Sequence, residues 1–308
     1  MYDNIDTAIR KEDCPGVDFL KDTPNLLDEV TSQKMTQRGE YINGYLGKLN
    51  VSISENRVSI YNSSLCKYYL GDNFQTLSCS DTKKAIEQIS DSLHLPFHLA
   101  NVTRIDVAQN IIVRHDEKAY YPFLGVAPYY ERLEQNNGLY YSNSKRQKLF
   151  YGKEHEQKVK RQPIPELYQN RNTLRYELRF RNRLREQLNR PEITAGLLYD
   201  EKFYRELVKR WKDEYFNIQK INSNIVNMEP TGSTKEFGEQ IALISILQMG
   251  QSQFMKTVDV WQKTGAIDKV QAKRHRSFVK RLSKVKKNGE GNGLIAELDN
   301  KIKQAARV

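Results

Sequence analysis

Thr103-Arg104-Ile105-Asp106-Val107-Ala108-Gln109-Asn110 and Leu174-Arg175-Tyr176-Glu177-Leu178-Arg179-Phe180 carry the reading of this chain. Each is a strand-like stretch that sets an acid among apolar neighbours. A third stretch, Lys148-Leu149-Phe150-Tyr151-Gly152-Lys153-Glu154, does the same with a tyrosine. A carboxylate inside a strand is costly to bury unless it is paired or binds a metal. Two such acids on neighbouring strands, Asp106 and Glu177, suit a hard cation such as Mg²⁺ or Mn²⁺. The plainer reading pairs Asp106 with Arg104 or Arg175, and Glu177 with Arg179, because ion pairs are common.

Around these stretches, the first half of the chain reads as strands about one helix. Tyr41 to Ile53 alternates loosely between apolar and polar residues and predicts one half-buried strand. Ser54-Glu55-Asn56 breaks it, and Arg57 to Tyr61 resumes as the second arm of a hairpin. Asp81-Thr82-Lys83-Lys84 opens a helix that runs through Leu93, with Ala85, Ile86, Ile89 and Leu93 on one face. Ser80 or Asp81 caps it, and Pro96 ends it. Asn101 to Val113 is the next strand, Gly138 to Tyr141 with Lys148 to Tyr151 a second hairpin, and Thr173 to Phe180 a further strand. From about Pro191 the character changes. Glu201 to Ile221, Lys235 to Met249, Gln253 to Thr264 and Asp268 to Lys286 have helical periodicity, with turn-forming breaks at 229–233 and 288–293. The expected class is α+β: an antiparallel-sheet domain over residues 41–190, preceded by an extension over 1–40 and followed by a mainly helical, basic domain over 191–308.

The composition points to a polyanion. The chain has 308 residues, with 49 Lys and Arg against 38 Asp and Glu, a net charge of +11. Such an excess attracts nucleic acid, because each phosphate neutralised releases condensed counterions. Lys269 to Lys287 concentrates that charge: nine Lys and Arg and almost no acid. Lys273, Arg274, Arg276, Lys280 and Arg281 are its candidate DNA contacts, and Val270, Phe278, Val279 and Leu282 give it an apolar side for docking. A solvated helix face is the plainer alternative. No run of roughly 18 apolar residues spans a membrane, and the acidic, mixed start of the chain is no signal peptide. Cys14, Cys66 and Cys79 are widely spaced and fit free thiols in a reducing cytoplasm. His94 and His98 flank a helix end and read as structural. His155, beside the tyrosine segment, is a weak candidate for phosphate or metal contact.

Four motifs in order resemble the phage and plasmid replication proteins of the II/X type, related to the replication initiation factors of small plasmids. They are Ser64-Leu65-Cys66-Lys67-Tyr68-Tyr69-Leu70-Gly71-Asp72-Asn73, Thr103-Arg104-Ile105-Asp106, Tyr140-Tyr141-Ser142-Asn143-Ser144 leading into Leu149-Phe150-Tyr151-Gly152-Lys153-Glu154-His155-Glu156, and Leu174-Arg175-Tyr176-Glu177-Leu178-Arg179-Phe180-Arg181. The resemblance covers about residues 40 to 215. It implies an initiator of rolling-circle replication that nicks one DNA strand and holds the cut 5′ end on a tyrosine, inside a bacterial host. By position, Tyr151 is the implied nucleophile, with Tyr140 and Tyr141 next. Asp106 and Glu177 are the implied Mg²⁺ or Mn²⁺ ligands.

Two positions depart from the pattern. Asn110 stands where relatives often carry a second acid and offers only a neutral carbonyl oxygen. Gly152 follows the tyrosine where relatives often have Asn, Asp or Cys. Lys153, two residues beyond Tyr151 in an expected strand, falls on the same face and could offset transition-state charge. Arg104 and Arg175, beside the acids, are further candidate DNA contacts. Candidate partners are origin DNA (single-stranded, or a cruciform in a supercoil), a host helicase and polymerase, and a second copy of the chain. A conjugative relaxase with the same bond chemistry, and a DNA-binding regulator that has lost activity, are the alternatives.

Overall fold

The computed structural model describes residues 1–221, 231–283 and 293–307. Its strands are β1 (Tyr2–Arg10), β2 (Glu29–Thr36), β3 (Gly39–Leu46), β4 (Leu49–Ser54), β5 (Arg57–Ser64), β6 (Asn101–Ile112), β7 (Glu131–Gln135), β8 (Gly138–Ser142), β9 (Arg146–Gly152) and β10 (Thr173–Phe180). The helices are α1 (Phe19–Asp22), α2 (Leu65–Leu70), α3 (Cys79–Leu93), α4 (Lys153–Val159), α5 (Leu184–Leu188), α6 (Glu201–Phe216), α7 (Thr234–Met249), α8 (Gln251–Lys263), α9 (Lys269–Ser283) and α10 (Gly293–Ala305). The strands make one antiparallel sheet in the order β2-β3-β4-β5-β1-β6-β10-β9-β8-β7. The α+β class expected from the sequence is the one observed.

Local chemistry accounts for most boundaries. The stretch expected as one strand over Tyr41 to Ile53 is two, β3 and β4, because Gly47 takes a left-handed φ of 54° and reverses the chain. Helix α3 starts two residues before the expected Asp81. Ser78 caps it, its hydroxyl accepting from the Asp81 N–H at 3.0 Å while the Asp81 carboxylate accepts from the Ser78 N–H at 3.2 Å. Ala85, Ile86, Ile89 and Leu93 are buried as the periodicity requires, and His94 closes the helix in the left-handed conformation.

Residues 1–40 are not an extension outside the sheet. They supply β1, which sits between β5 and β6 at the centre of the sheet, and the edge strand β2. Ile5, Thr7 and Ile9 are buried while Asn4, Asp6 and Ala8 are half-buried, a period of two that the acidic start of the chain disguised. Strand β2 is exposed almost throughout and carries no such signal.

A boundary near residue 190 does not divide the hydrophobic core either. Trp211 on α6 is fully buried against Tyr176 of β10, with ring centroids 4.9 Å apart, and its indole N–H donates to the Tyr176 carbonyl. Ile295, Leu298 and Ile302 of α10 belong to the same core, and Tyr215 donates to Asp299 at 2.7 Å. Ile246, Val279 and Leu282, from α7 and α9, form a small second cluster. Cys14, Cys66 and Cys79 are free thiols. Among the described residues no helix is long and apolar enough to cross a membrane.

Trp211→Ala is expected to cost about 3–5 kcal/mol, as for other large aromatic truncations in a core, measured by urea unfolding followed by circular dichroism. A chain ending at residue 190 loses Trp211 and Tyr215 from over Phe150 and Tyr176 and should show no cooperative unfolding transition. A cooperative transition in the shortened chain would show that the sheet closes its core without α6.

Candidate active site

Register assembles the site. Across β10 and β6, Arg179 faces Asp106, Glu177 faces Ala108 and Arg175 faces Asn110. Across β10 and β9, Arg175 faces Tyr151 and Glu177 faces Leu149. Because side chains alternate along a strand, these residues share one face of the sheet. The other face carries Phe150 and Tyr176, stacked with centroids 4.6 Å apart beneath Trp211 of α6. The sheet therefore has an aromatic face under the helices and a polar face that brings Asp106, Asn110, Tyr151 and Glu177 together.

The two acids are buried, and guanidinium groups meet both of them. Asp106 receives Arg104 as a fork, at 2.9 Å on Oδ1 and 2.6 Å on Oδ2, with Arg179 Nε at 3.5 Å from Oδ2. Glu177 Oε1 accepts from Arg175 Nε at 2.7 Å and from the Tyr151 hydroxyl at 2.7 Å. Its Oε2 accepts from Arg179 at 2.9 and 2.7 Å. Asn110 Oδ1 accepts from Arg175 Nη1 at 3.0 Å, while Asn110 Nδ2 donates to the carbonyls of Asn73 and Phe74. Arg175, itself buried, also donates to the Asn73 carbonyl at 3.0 Å and forms an ion pair with Asp3 of β1. Arg175, expected as a DNA contact, is thus enclosed beneath the surface with its donors met by protein groups.

Electrostatics follow from that geometry. For Glu177, burial opposes ionisation, but Arg175 and Arg179 outweigh it and hold the carboxyl well below the usual range. Burial pushes Asp106 up to about 7 against the pull of Arg104 and Arg179. Burial, with the Glu177 charge beside it, raises the Tyr151 phenol well above its ordinary value. Lys153 is not in a strand: β9 ends at Gly152, and Lys153 opens α4 with its side chain buried, its ammonium 2.6 Å from Glu156 and 5.5 Å from the centroid of Phe74. Burial and the nearby Arg175 lower its pKa to about 8.

The residues as folded do not fit a divalent cation. The carboxylate oxygens of Asp106 and Glu177, and the carbonyl oxygen of Asn110, all accept from arginine. Among the described residues no three His, Cys, Asp or Glu side chains gather so as to hold a metal. The plainer sequence reading, in which Asp106 pairs with Arg104 and Glu177 with Arg179, describes this state.

Other positions sort by face. Tyr141 lies on the aromatic face with its hydroxyl donated to the carbonyls of Leu124 and Gly125, so it faces away from the polar cluster. Tyr140 lies opposite Leu149, on the face of Tyr151. His155 is exposed, beside a cavity of about 220 Å³ that Glu117, Gly152, Glu154 and Arg171 also line. A Cβ at position 152 would meet the Glu117 carboxylate, the far end of a side chain that can turn aside. On α9, Lys273, Arg274 and Lys280 are exposed, whereas Arg276 pairs with Asp259 and Arg281 with Glu239. The last lysines of the basic run, 284, 286 and 287, lie outside the described residues. Asp3 was missed because β1 was missed, and Arg179 was read only as a partner for Glu177.

Arg175→Met should destabilise the fold by about 3–5 kcal/mol, because it strands Asp3 and Glu177 as buried charges without their shared partner. Denaturant unfolding checks it. A loss under about 1 kcal/mol would mean that the cluster is hydrated and the pairs weak.

No curated protein matches the chain. A family model described as the N-terminal region of a phage replication-associated protein matches residues 28–214. The matched span runs from the start of β2 to the last turns of α6 and contains Asp106, Asn110, Tyr151, Glu177 and all three arginines that hold them. With more than half of its length matched and the motif residues converging on one face, the chain belongs to this family of phage replication-associated proteins, whose role is in DNA replication.

Proposed function

We propose that this replication protein initiates rolling-circle synthesis by nicking one strand of its origin through Tyr151. The observation that carries the reading is the Tyr151 hydroxyl, hydrogen-bonded to Glu177 at 2.7 Å on the polar face beside the guanidinium groups that meet that acid, on a residue that is itself partly exposed. A phenol with a fixed acceptor beside cations is arranged for phosphoryl transfer. Tyr151 Oη attacks the scissile phosphorus, its proton passes to Glu177 Oε1, and the P–O3′ bond breaks. The 3′ oxygen leaves with a proton from solvent as the primer end, while the 5′ phosphate stays on the tyrosine. Attack by the 3′ hydroxyl on that phosphotyrosine reverses the step and rejoins the strand.

The resting cluster favours the protonated phenol, so the approach of substrate must shift charge before attack. Exposed Lys273, Arg274 and Lys280 on α9 supply sequence-independent attraction for the duplex. The DNA-binding regulator without cleavage activity remains the second reading, and the observation that favours it is the engagement of both acids by arginine.

Tyr151→Phe should abolish the covalent protein–DNA adduct while binding to origin DNA stays within a few-fold, since only the hydroxyl is removed. Adduct mapping with a labelled origin strand decides it: an adduct in the Phe variant moves the nucleophile to Tyr140, and no adduct in the parent protein supports the regulator. Changing Lys273, Arg274 and Lys280 together to Gln should flatten the log–log dependence of duplex affinity on salt, by about 0.9 for each phosphate that is no longer neutralised. An unchanged slope would leave α9 as a solvated face.

A further inference from the structure

Lys67, in the Ser64–Asn73 motif, is half-buried on α2 and pairs with no carboxylate among the described residues. Its ammonium donates instead to the side-chain oxygen of Gln162, a neutral amide, at 2.9 Å. Two more lysines belong to the same cluster. Lys153 is fully enclosed with its ammonium 2.6 Å from Glu156 Oε2, and Lys160, half exposed just beyond α4, pairs with Glu156 Oε1. The charge of Glu156 acts on Lys67 as well, so three ammonium groups draw on one carboxylate. Burial, and the like charge of Lys160, lower the Lys67 pKa, as expected of a cation short of counter-charge.

The fold holds this cluster beside the tyrosine. Ser64 caps α2: its hydroxyl accepts from the Lys67 N–H at 3.1 Å and donates to Asp3 Oδ1 at 2.6 Å. Asp3 pairs with Arg175, which meets Glu177, the acceptor of the Tyr151 hydroxyl. Beyond α4, Arg161 takes a left-handed φ of 52°, and the Gln162 N–H donates to the Gln157 carbonyl at 3.0 Å, which turns Gln162 back toward Lys67. The charges of Asp3, Glu156 and Arg175 act on both Lys67 and the Tyr151 phenol.

We propose that Lys67 and Lys160 bind a backbone phosphate of the single strand that Tyr151 receives, with Gln162 as the acceptor that the phosphate displaces. The proposal rests on the reading of Tyr151 as the residue that meets the strand. An amide oxygen gives a half-buried ammonium a hydrogen bond but no charge, and a phosphate oxygen supplies both. A lysine suits the task, because its ammonium is a compact charge on a flexible stem and can turn from amide to phosphate without a fixed fork geometry. Lys153 is enclosed, so it adds its field without contact, and Glu156 offsets part of the repulsion among the lysines in the DNA-free protein. One phosphodiester reduces the excess that remains. A strand whose scissile phosphate reaches Tyr151 brings its neighbouring phosphates to the same place.

Lysine footprinting locates the contact. The full-length protein is acetylated with an N-hydroxysuccinimide ester, alone and with oligothymidylate, and labelling is read by mass spectrometry. Phosphate contacts carry no sequence information, so the origin need not be known. Lys67 and Lys160 should be protected by oligothymidylate and left unprotected by its uncharged methylphosphonate analogue. Equal labelling with and without the strand overturns the proposal. Protection just as strong from inorganic phosphate at the same phosphorus concentration would make this a site for a free anion and overturns it too.

Lys67→Gln should weaken oligothymidylate binding, read by fluorescence anisotropy, and flatten its log–log salt dependence by about 0.7, the share of one phosphate on a single strand. Lys67→Arg should restore both. Gln162→Glu sets a carboxylate on the Lys67 ammonium without removing it, and it keeps the test open should Lys67→Gln fail to fold. A purely structural Lys67 predicts that Gln162→Glu keeps the parent's affinity and slope, whereas the proposal requires weaker binding and a flatter slope in a chain whose circular dichroism is unchanged. None of these readouts needs cleavage. A parent protein that forms no adduct would remove the chemistry and leave a protected Lys67 standing, while an adduct with Lys67 unprotected would do the reverse.

Discussion

Arg175 holds the polar face together. A single buried guanidinium joins Asp3 of β1, Glu177 on its own strand, the Asn110 side chain of β6 and the carbonyl of Asn73 in the loop after α2. Burying a guanidinium is tolerable only when its donors are met, and here four groups from four segments meet them. Because the partners lie as far as 172 residues apart in sequence, the clamp forms only when the centre of the sheet has closed. Tyr151 is then held indirectly: Arg175 meets Glu177, and Glu177 accepts from the Tyr151 hydroxyl.

The sheet is able to carry such a cluster because its two faces do different work. On one side Phe150, Tyr176, Trp211 and Tyr215 form a dry aromatic layer between β9, β10 and α6. That layer is part of one continuous apolar core, whose burial stabilises the fold. The opposite face gathers charges of both signs, buried to different degrees. Enclosed residues such as Arg175 and Lys153 set geometry, while Arg104, Arg179 and Tyr151 remain within reach of a ligand.

The helical part of the chain divides in the same way. Helices α6 and α10 complete the core of the sheet, whereas α7 to α9 hold together through a small cluster around Ile246, Val279 and Leu282. The basic surface of α9 belongs to that second group. The exposed Lys273, Arg274 and Lys280 are thus carried on elements that do not hold the polar face together.

Local signals in the residues were enough to reveal the strands that carry chemistry. Asn101 to Val113, Thr173 to Phe180 and the hairpin around Tyr151 could be read because apolar alternation and turn residues act over short spans, and Asp106, Tyr151 and Glu177 stood out as polar groups within them. The alternation of Ile5, Thr7 and Ile9, and the spacing of Ile295, Leu298 and Ile302, were also present, the first masked by its acidic neighbours. The pairs Arg104–Asp106 and Arg179–Glu177 lie two residues apart on one strand and were legible too. The pairing of Asp3 with Arg175, the central place of β1 and the meeting of Tyr151 with Glu177 depend on register between distant strands. Register is set by the closing of the whole sheet over its aromatic face, and no local stretch of residues contains it.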